Sequence, residues 1–175
     1  GILREFGYAL PQGSRTFVAR ARTVLDDESL PQVLRDELRR ALDEIVTFRT
    51  SINDVTNRIE AIGAQTPDVA HLRTVPGIGV LSATALVAFV GEPSRFASGR
   101  HFASYLGLTP RENSSGPRRR LGRISKRGNT YLRMLLIHGA RSALLAARRV
   151  DSPDTLQAWA LGVELRTGHN KATVA

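Results

Sequence analysis

Pro31–Gly63 reads PQVLRDELRRALDEIVTFRTSINDVTNRIEAIG. Its apolar positions Leu34, Leu38, Ala41, Ile45, Phe48, Ile52, Val55, Ile59 and Ile62 recur at alternating spacings of four and three. That is a heptad seam sustained over about four repeats. Pro31 suits a first helical turn and Gly63 suits a stop. Arg35, Glu37, Arg39, Asp43, Glu44, Arg49, Asp54 and Arg58 fall on the remaining faces. One helix cannot bury such a stripe alone, so the pattern demands a helical partner. Two partners are open. A second copy of the chain would make Leu34–Ile62 a coiled coil joining a homo-oligomer. A helix of the same domain would make it an internal packing face.

Upstream, residues 1–30 mix apolar side chains with Pro11 and Gly13, and read as two short helices around the turn Leu10-Pro11-Gln12-Gly13. Downstream, Ala64–Asp68 is a linker, because Pro67 forbids a continuous helix. Leu72–Val80 (LRTVPGIGV) then predicts a short helix ending at Pro76-Gly77 and a second starting after Gly79, apolar up to Gly91. This suggests a helix-hairpin-helix. Gly77 and Gly79 would allow a tight turn, leaving the first N–H groups of the next helix to hold a phosphate without reading sequence. A plain αα-hairpin that binds nothing fits the same residues.

A turn at Pro93–Phe96 precedes a short helix over Gly99–Leu106, with Gly107 as its stop. The stretch Leu108–Asn129, LTPRENSSGPRRRLGRISKRGN, follows. Between Arg111 and Arg133 there are eight basic residues and one acid, Glu112, so this segment holds most of the chain's formal charge of +9. Burying unpaired guanidinium groups is costly, which argues against a core position. The segment is therefore a solvated loop or a surface for a polyanion. Gly107, Gly116, Gly122 and Gly128 let the backbone come close to a partner. Dense arginine with close approach favours phosphate. The segment is expected to be irregular, or a hairpin pairing Arg111–Asn113 with Leu121–Ile124. Asn129 reads as the N-cap of a helix to about Arg148. Ser152-Pro153 opens a last helix to about Thr167, with Trp159 expected in the core.

The whole is thus mostly all-α. A short helical lead-in (1–30) and a coiled-coil helix (31–66) precede a compact helical domain (67–175) with the helix-hairpin-helix and the basic loop. A pI near 11.2 points to nucleic acid. No run reaches the roughly 18 apolar residues of a membrane span, so no membrane partner is expected. The chain has no cysteine, which excludes disulfides and cysteine–zinc sites. His71, His101, His138 and His169 are scattered, so no metal is expected here. The start in mid-pattern at Gly1 and the helix-like Asn170–Ala175 suggest a fragment or a truncated gene product.

Six motifs stand in order: VPGIG (Val75–Gly79), RF (Arg95–Phe96), LGLTPR (Leu106–Arg111), SSG (Ser114–Gly116), GRISKRGN (Gly122–Asn129) and YLR (Tyr131–Arg133). The series resembles the C-terminal transposase domain of the insertion sequence 110 family, especially its 1111-like branch, over at least Leu72–Ala147. The resemblance implies a two-part, RNA-guided DNA recombinase of the bacterial cytoplasm, associated with the nucleoid. An N-terminal RuvC-like half would carry DEDD carboxylates binding Mg2+, and a C-terminal half would supply a serine nucleophile. By motif position that serine is Ser115, with Ser114 as the competing position. DNA and a guide RNA are the implied partners, and the family's coiled coil implies dimer assembly.

Such a serine must lose its proton or meet a metal before it can attack a phosphodiester, and charge building on the phosphoryl oxygens needs preorganised cations. Arg118, Arg119, Arg120 and Arg123 are placed in sequence to supply them, with Arg111, Lys126 and Arg127 beside them as further phosphate ligands. The DEDD half is absent, so this chain alone is expected to bind nucleic acid without cutting it. The competing function is a binding module with no chemistry.

Overall fold

The computed structural model describes residues 2–115, 118 and 120–175; Arg119, and Gly116 of the Ser-Ser-Gly turn, lie outside them. Among the described residues there are eight α-helices and one two-stranded sheet. The mostly-α expectation therefore holds. In order, the helices before the sheet are α1 (Ser14–Leu25), α2 (Gln32–Ala64), α3 (Pro67–Leu72), α4 (Val80–Val90) and α5 (Gly99–Tyr105). The strands are β1 (Pro110–Glu112) and β2 (Leu121–Ile124), followed by α6 (Thr130–Ala147), α7 (Thr155–Thr167) and α8 (His169–Ala172). The chain divides into two compact units, Gly1–Asn57 and Arg58–Ala175, so α2 begins in the first and ends in the second.

In the first unit α1 supplies Val18, Ala21 and Val24 to a core shared with Leu30, Leu38 and Leu42. Tyr8 closes one edge, donating its hydroxyl to Asp27, whose carboxylate also accepts Ser29 N–H at 2.9 Å. These bonds hold the Asp27 carboxyl below its ordinary range. The start of the heptad seam is therefore already occupied by the chain itself. Leu34, Leu38 and Ile45 pack with α1, and Leu42, which the seam does not include, is buried among them. The reason is geometric: a straight helix meeting a single neighbour buries a 3.6-residue face, which spaces contacts 4-4-3 as well as 4-3-4. Phe48, Ile52 and Val55 stay exposed on the continuation of the stripe.

In the second unit α2 continues one residue past the expected stop. Gly63 is buried there, close to side chains of Val69 and Val80, so it is a packing position rather than a cap. Pro67 occupies the first turn of α3. The main core joins Ala85, Leu86 and Val90 of α4 to Leu106 and Leu132, with Leu72, Ile78, Phe96, Phe102 and Leu135 around them. Burying each such side chain stabilises by about 1.5–3 kcal/mol before conformational entropy is counted. Gly77, at φ 87°, lies directly against Gly139 of α6; a Cβ on either glycine would strike the other's carbonyl oxygen. The turn between α3 and α4 can therefore approach α6 only because both positions lack a side chain.

The last long helix departs from expectation in two details. Its N-cap is Asp154, which closes a capping box with Gln157, so the helix starts after Pro153 rather than at it. Trp159 is half exposed and lines an open apolar groove of about 590 Å3 instead of filling the core. Glu164 ties α7 to its neighbours: Arg148 donates Nε to its Oε2 at 3.0 Å and Nη2 to its Oε1, while His169 Nδ1 lies 2.8 Å from that same oxygen. The arginine and histidine bonds lower the Glu164 pKa to about 2. Among the described residues no helix is long and apolar enough to cross a membrane.

Candidate nucleic-acid interface

The basic stretch folds into an antiparallel hairpin rather than an irregular loop. β1 pairs with β2 with Pro110 opposite Ile124 and Glu112 opposite Leu121, the register slipping by one residue between them. That slip is a β-bulge, which puts an extra residue into β2 at Gly122–Arg123 and bends the strand. Beyond it Asn113 N–H donates to Arg120 O at 2.9 Å, and Ser115 forms a bridge with Arg118. Cross-strand partners share a face. Ser115, Arg118, Asn113 and Arg120 therefore lie on one face of the hairpin, and Glu112 and Ser114 on the other.

This alternation separates the two serines. Ser114 Oγ donates to Glu112 Oε1 at 2.6 Å and accepts Arg120 N–H at 3.1 Å, so its hydroxyl closes the hairpin. Ser115 is exposed, and among the described residues its hydroxyl makes no hydrogen bond. Its exposure leaves the Ser115 hydroxyl open to solvent, whereas that of Ser114 is engaged within the hairpin. No base is hydrogen-bonded to it among the described residues.

Arg111, Arg118, Arg120, Arg123, Lys126 and Arg127 are all exposed, and among the described residues none forms a salt bridge. Arg111 Nη2 donates to Ser125 O at 3.2 Å, which orients one guanidinium along the hairpin's base. Lys126 takes a positive φ of 57°, and its N–H donates to Gly107 O at 3.0 Å. These six cations thus face solvent without a carboxylate among the described residues to neutralise them, the state that favours exchange of condensed counterions for protein. Arg119 belongs to the same run but lies outside the described residues.

Arg133 corrects the expectation that the whole basic segment is surface. It is buried, at 7% exposure, without a carboxylate partner among the described residues. Its Nη1 donates to Leu106 O at 3.0 Å and to Gly128 O at 3.3 Å, and its Nη2 to Thr130 Oγ1 at 3.2 Å. Leu106 and Gly128 are the two roots of the hairpin segment. One guanidinium therefore clamps both roots to the start of α6. There Asn129 caps the helix as expected, accepting Leu132 N–H at 3.0 Å. The roots also cross backbone to backbone: Gly107 (φ 71°) faces the Arg127–Gly128 peptide, and Gly128 faces the Tyr105 carbonyl. Only the isolated helix-terminal position of Arg133, one turn into a strongly apolar helix, hinted at this role in the sequence.

The expected phosphate glycines part company. Gly77 is engaged with α6, whereas a Cβ at Gly79 would meet nothing within 4 Å. Gly79 is the N-cap of α4, with no side-chain capping bond. Among the described residues no group of three or more His, Asp or Glu side chains converges to hold a metal ion.

The second unit is thus a helical domain that carries a hairpin of exposed cations and an exposed serine. Residues 69–160 match the family described as "Transposase IS116/IS110/IS902 family", and the chain belongs to that family of transposases. It is 39% identical, over its whole length, to a "Probable family 20 transposase" of Pseudomonas aeruginosa, covering 52% of that protein. It is 32% identical, again over its whole length, to "Transposase for insertion sequence element IS1111A" of Coxiella burnetii, covering 48% of it. A "Pilin gene-inverting protein" of Moraxella bovis is 37% identical over 78 residues, 42% of this chain and 24% of that protein. The chain spans about half the length of the curated relatives it matches over its full extent.

Proposed function

We propose that this chain is the DNA-binding, serine-bearing half of an insertion-sequence transposase. The observation that carries the reading is the division of labour between the two serines. Ser114 is locked into the hairpin, while Ser115 stands exposed across from Arg118. In the reaction Ser115 Oγ attacks the phosphorus of a DNA phosphodiester. A phosphoserine bond forms, the P–O bond to the adjoining deoxyribose breaks, and that deoxyribose oxygen leaves as a hydroxyl after taking a proton. The number of phosphoester bonds is conserved, so the strand can be rejoined to a new partner by the reverse step without an external energy source. Arg118, Arg120 and Arg123 stabilise charge on the phosphoryl oxygens, and Arg111, Lys126 and Arg127 hold the flanking backbone. Arg119 is proposed to join them.

The proton on Ser115 needs a base or metal that the described residues of the hairpin do not provide. The reading therefore includes a companion RuvC-like domain with Mg2+, and a guide RNA that selects the DNA, since phosphate binding alone carries no sequence information. Gly79, at the open start of α4, is proposed as a further phosphate ligand, and the exposed Phe48, Ile52 and Val55 as the surface that meets a second copy. A Ser115 hydroxyl with no hydrogen-bonded base among the described residues favours a second reading, a binding module with no chemistry.

The test uses this chain with a random-sequence DNA duplex over a range of salt. Changing Arg118, Arg120 and Arg123 together to Gln should weaken binding across sequences. It should also flatten the dependence of log K on log salt by about 0.9 for each phosphate that is no longer neutralised. An unchanged slope removes the hairpin from the interface. In Mg2+ buffer the chain alone should bind and not cleave; strand cleavage that disappears in Ser115→Ala contradicts the need for a companion domain.

A further inference from the structure

Outside the hairpin one cation is held in an arrangement that the site above does not use. Arg95 ends a short 3-10 turn, Pro93–Arg95, whose start is fixed by Glu92 accepting Ser94 N–H. Its guanidinium carbon lies 4.8 Å from the centroid of Phe96 and 4.9 Å from that of Tyr105. Those two rings are packed against each other at 5.3 Å, and Phe96 meets Phe102 at the same separation; Phe96 and Phe102 pack against the core of the second unit, while Tyr105 is exposed. Phe96 is thereby anchored on the core side of the platform. Arg95 itself is exposed, and among the described residues its side chain makes no hydrogen bond and no ion pair. Glu92, the nearest acid in sequence, has Oε1 engaged by the Ser94 backbone.

A guanidinium that stacks on rings loses conformational freedom but keeps the N–H donors of its edge. Those donors match the two oxygens of a phosphodiester in a bidentate pair. A cation–π arginine with no carboxylate is thus preorganised for an anion that arrives from outside. Its position is also suited to the hairpin's ligand. Tyr105 is the last residue of α5, and its carbonyl faces Gly128, next in sequence to the exposed Lys126 and Arg127.

We propose that Arg95, held over Phe96 and Tyr105, is a phosphate-binding residue that carries the DNA interface from the hairpin's base onto the aromatic platform of α5. This rests on the reading that the hairpin binds DNA. Tyr105 is its positioning residue: the ring does not touch the phosphate but orders the group that does.

The test measures binding of a random-sequence DNA duplex by the full chain across a salt series, for the parent, Arg95→Gln, Arg95→Lys and Tyr105→Leu. Thermal melting serves as the check on folding. Arg95→Gln should leave melting unchanged and make the salt slope shallower by about 0.9, the equivalent of one phosphate. Arg95→Lys should keep the slope and lose affinity, because charge survives while the planar edge does not. Tyr105→Leu should likewise keep the slope and lose affinity, a split that a merely structural role for the ring does not produce. A parent that binds with a salt-dependent slope, alongside an Arg95→Gln with the same slope, overturns this proposal and leaves the hairpin reading intact. Loss of affinity on structured RNA but not on DNA overturns the choice of ligand. A parent with no salt-dependent binding overturns both.

Discussion

Arg133→Met is the sharpest perturbation of the hairpin's foundation. Methionine keeps the apolar stem of the side chain but removes all three hydrogen bonds. The carbonyls of Leu106 and Gly128 then lose their donor. Each buried acceptor left unpaired costs about 1–3 kcal/mol. Against this, the native fold no longer desolvates a guanidinium that has no carboxylate beside it, which returns part of the loss. Two stranded carbonyls outweigh that return, and the expected net loss is about 2–3 kcal/mol. Urea unfolding followed by the fluorescence of Trp159, the chain's single tryptophan, reports the second unit specifically. For a domain of this size the midpoint should fall by about 1–2 M. Arg133→Lys should recover less than half, because one ammonium cannot reach both carbonyls and Thr130 Oγ1 together. A midpoint that Arg133→Met leaves unmoved would show that these carbonyls find other donors and that the guanidinium clamps nothing.

Four further outcomes follow from the geometry. Gly139→Ala places a methyl against the Gly77 carbonyl and should destabilise the second unit by about 1–3 kcal/mol, read from the same Trp159 transition. The Glu164 pKa of about 2 lies below its ordinary value, so its contribution is fully present above about pH 4.5 and is lost as pH falls toward 2; in Glu164→Gln, acid titration of the melting temperature should lose that component. Ile52→Asp, at a position 63% exposed, should leave folding of the first unit intact and reduce self-association in sedimentation, whereas unchanged association removes Phe48–Val55 from the copy-to-copy surface. Asn129→Ala should cost α6 about 1 kcal/mol by removing the bond to Leu132 N–H, seen as faster amide exchange in its first turn.

The helices were legible because their signals are local. The apolar periodicity of α2, the Gly107 stop and the Asn129 cap each act over a few residues and mark their elements, whereas α3 ends at Leu72, ahead of the Pro76-Gly77 break that the sequence suggests as its end. What the sequence concealed depends on packing between distant residues. Whether the Leu34–Ile45 seam meets a second copy or α1 is a choice between equally apolar partners, and patterning cannot rank them. Trp159 is apolar but lies on the outer side of a groove, which its identity does not reveal. Arg133 sits among surface arginines in sequence, and only the crossing of the hairpin's roots gives it two carbonyls to bind. The two serines differ by hairpin register alone. A bulge at Gly122–Arg123 sets which of them faces Arg118, and a bulge leaves almost no trace in composition.

The central claim concerns one hydroxyl. The direct measurement combines this chain with the remainder of a full-length relative in Mg2+ buffer, supplies DNA bearing the element's ends, and counts protein covalently joined to DNA on a denaturing gel. The account predicts an adduct with the parent, a reduced but present adduct in Ser114→Ala, where the hairpin closure is weakened, and none in Ser115→Ala. An adduct that persists in Ser115→Ala contradicts it.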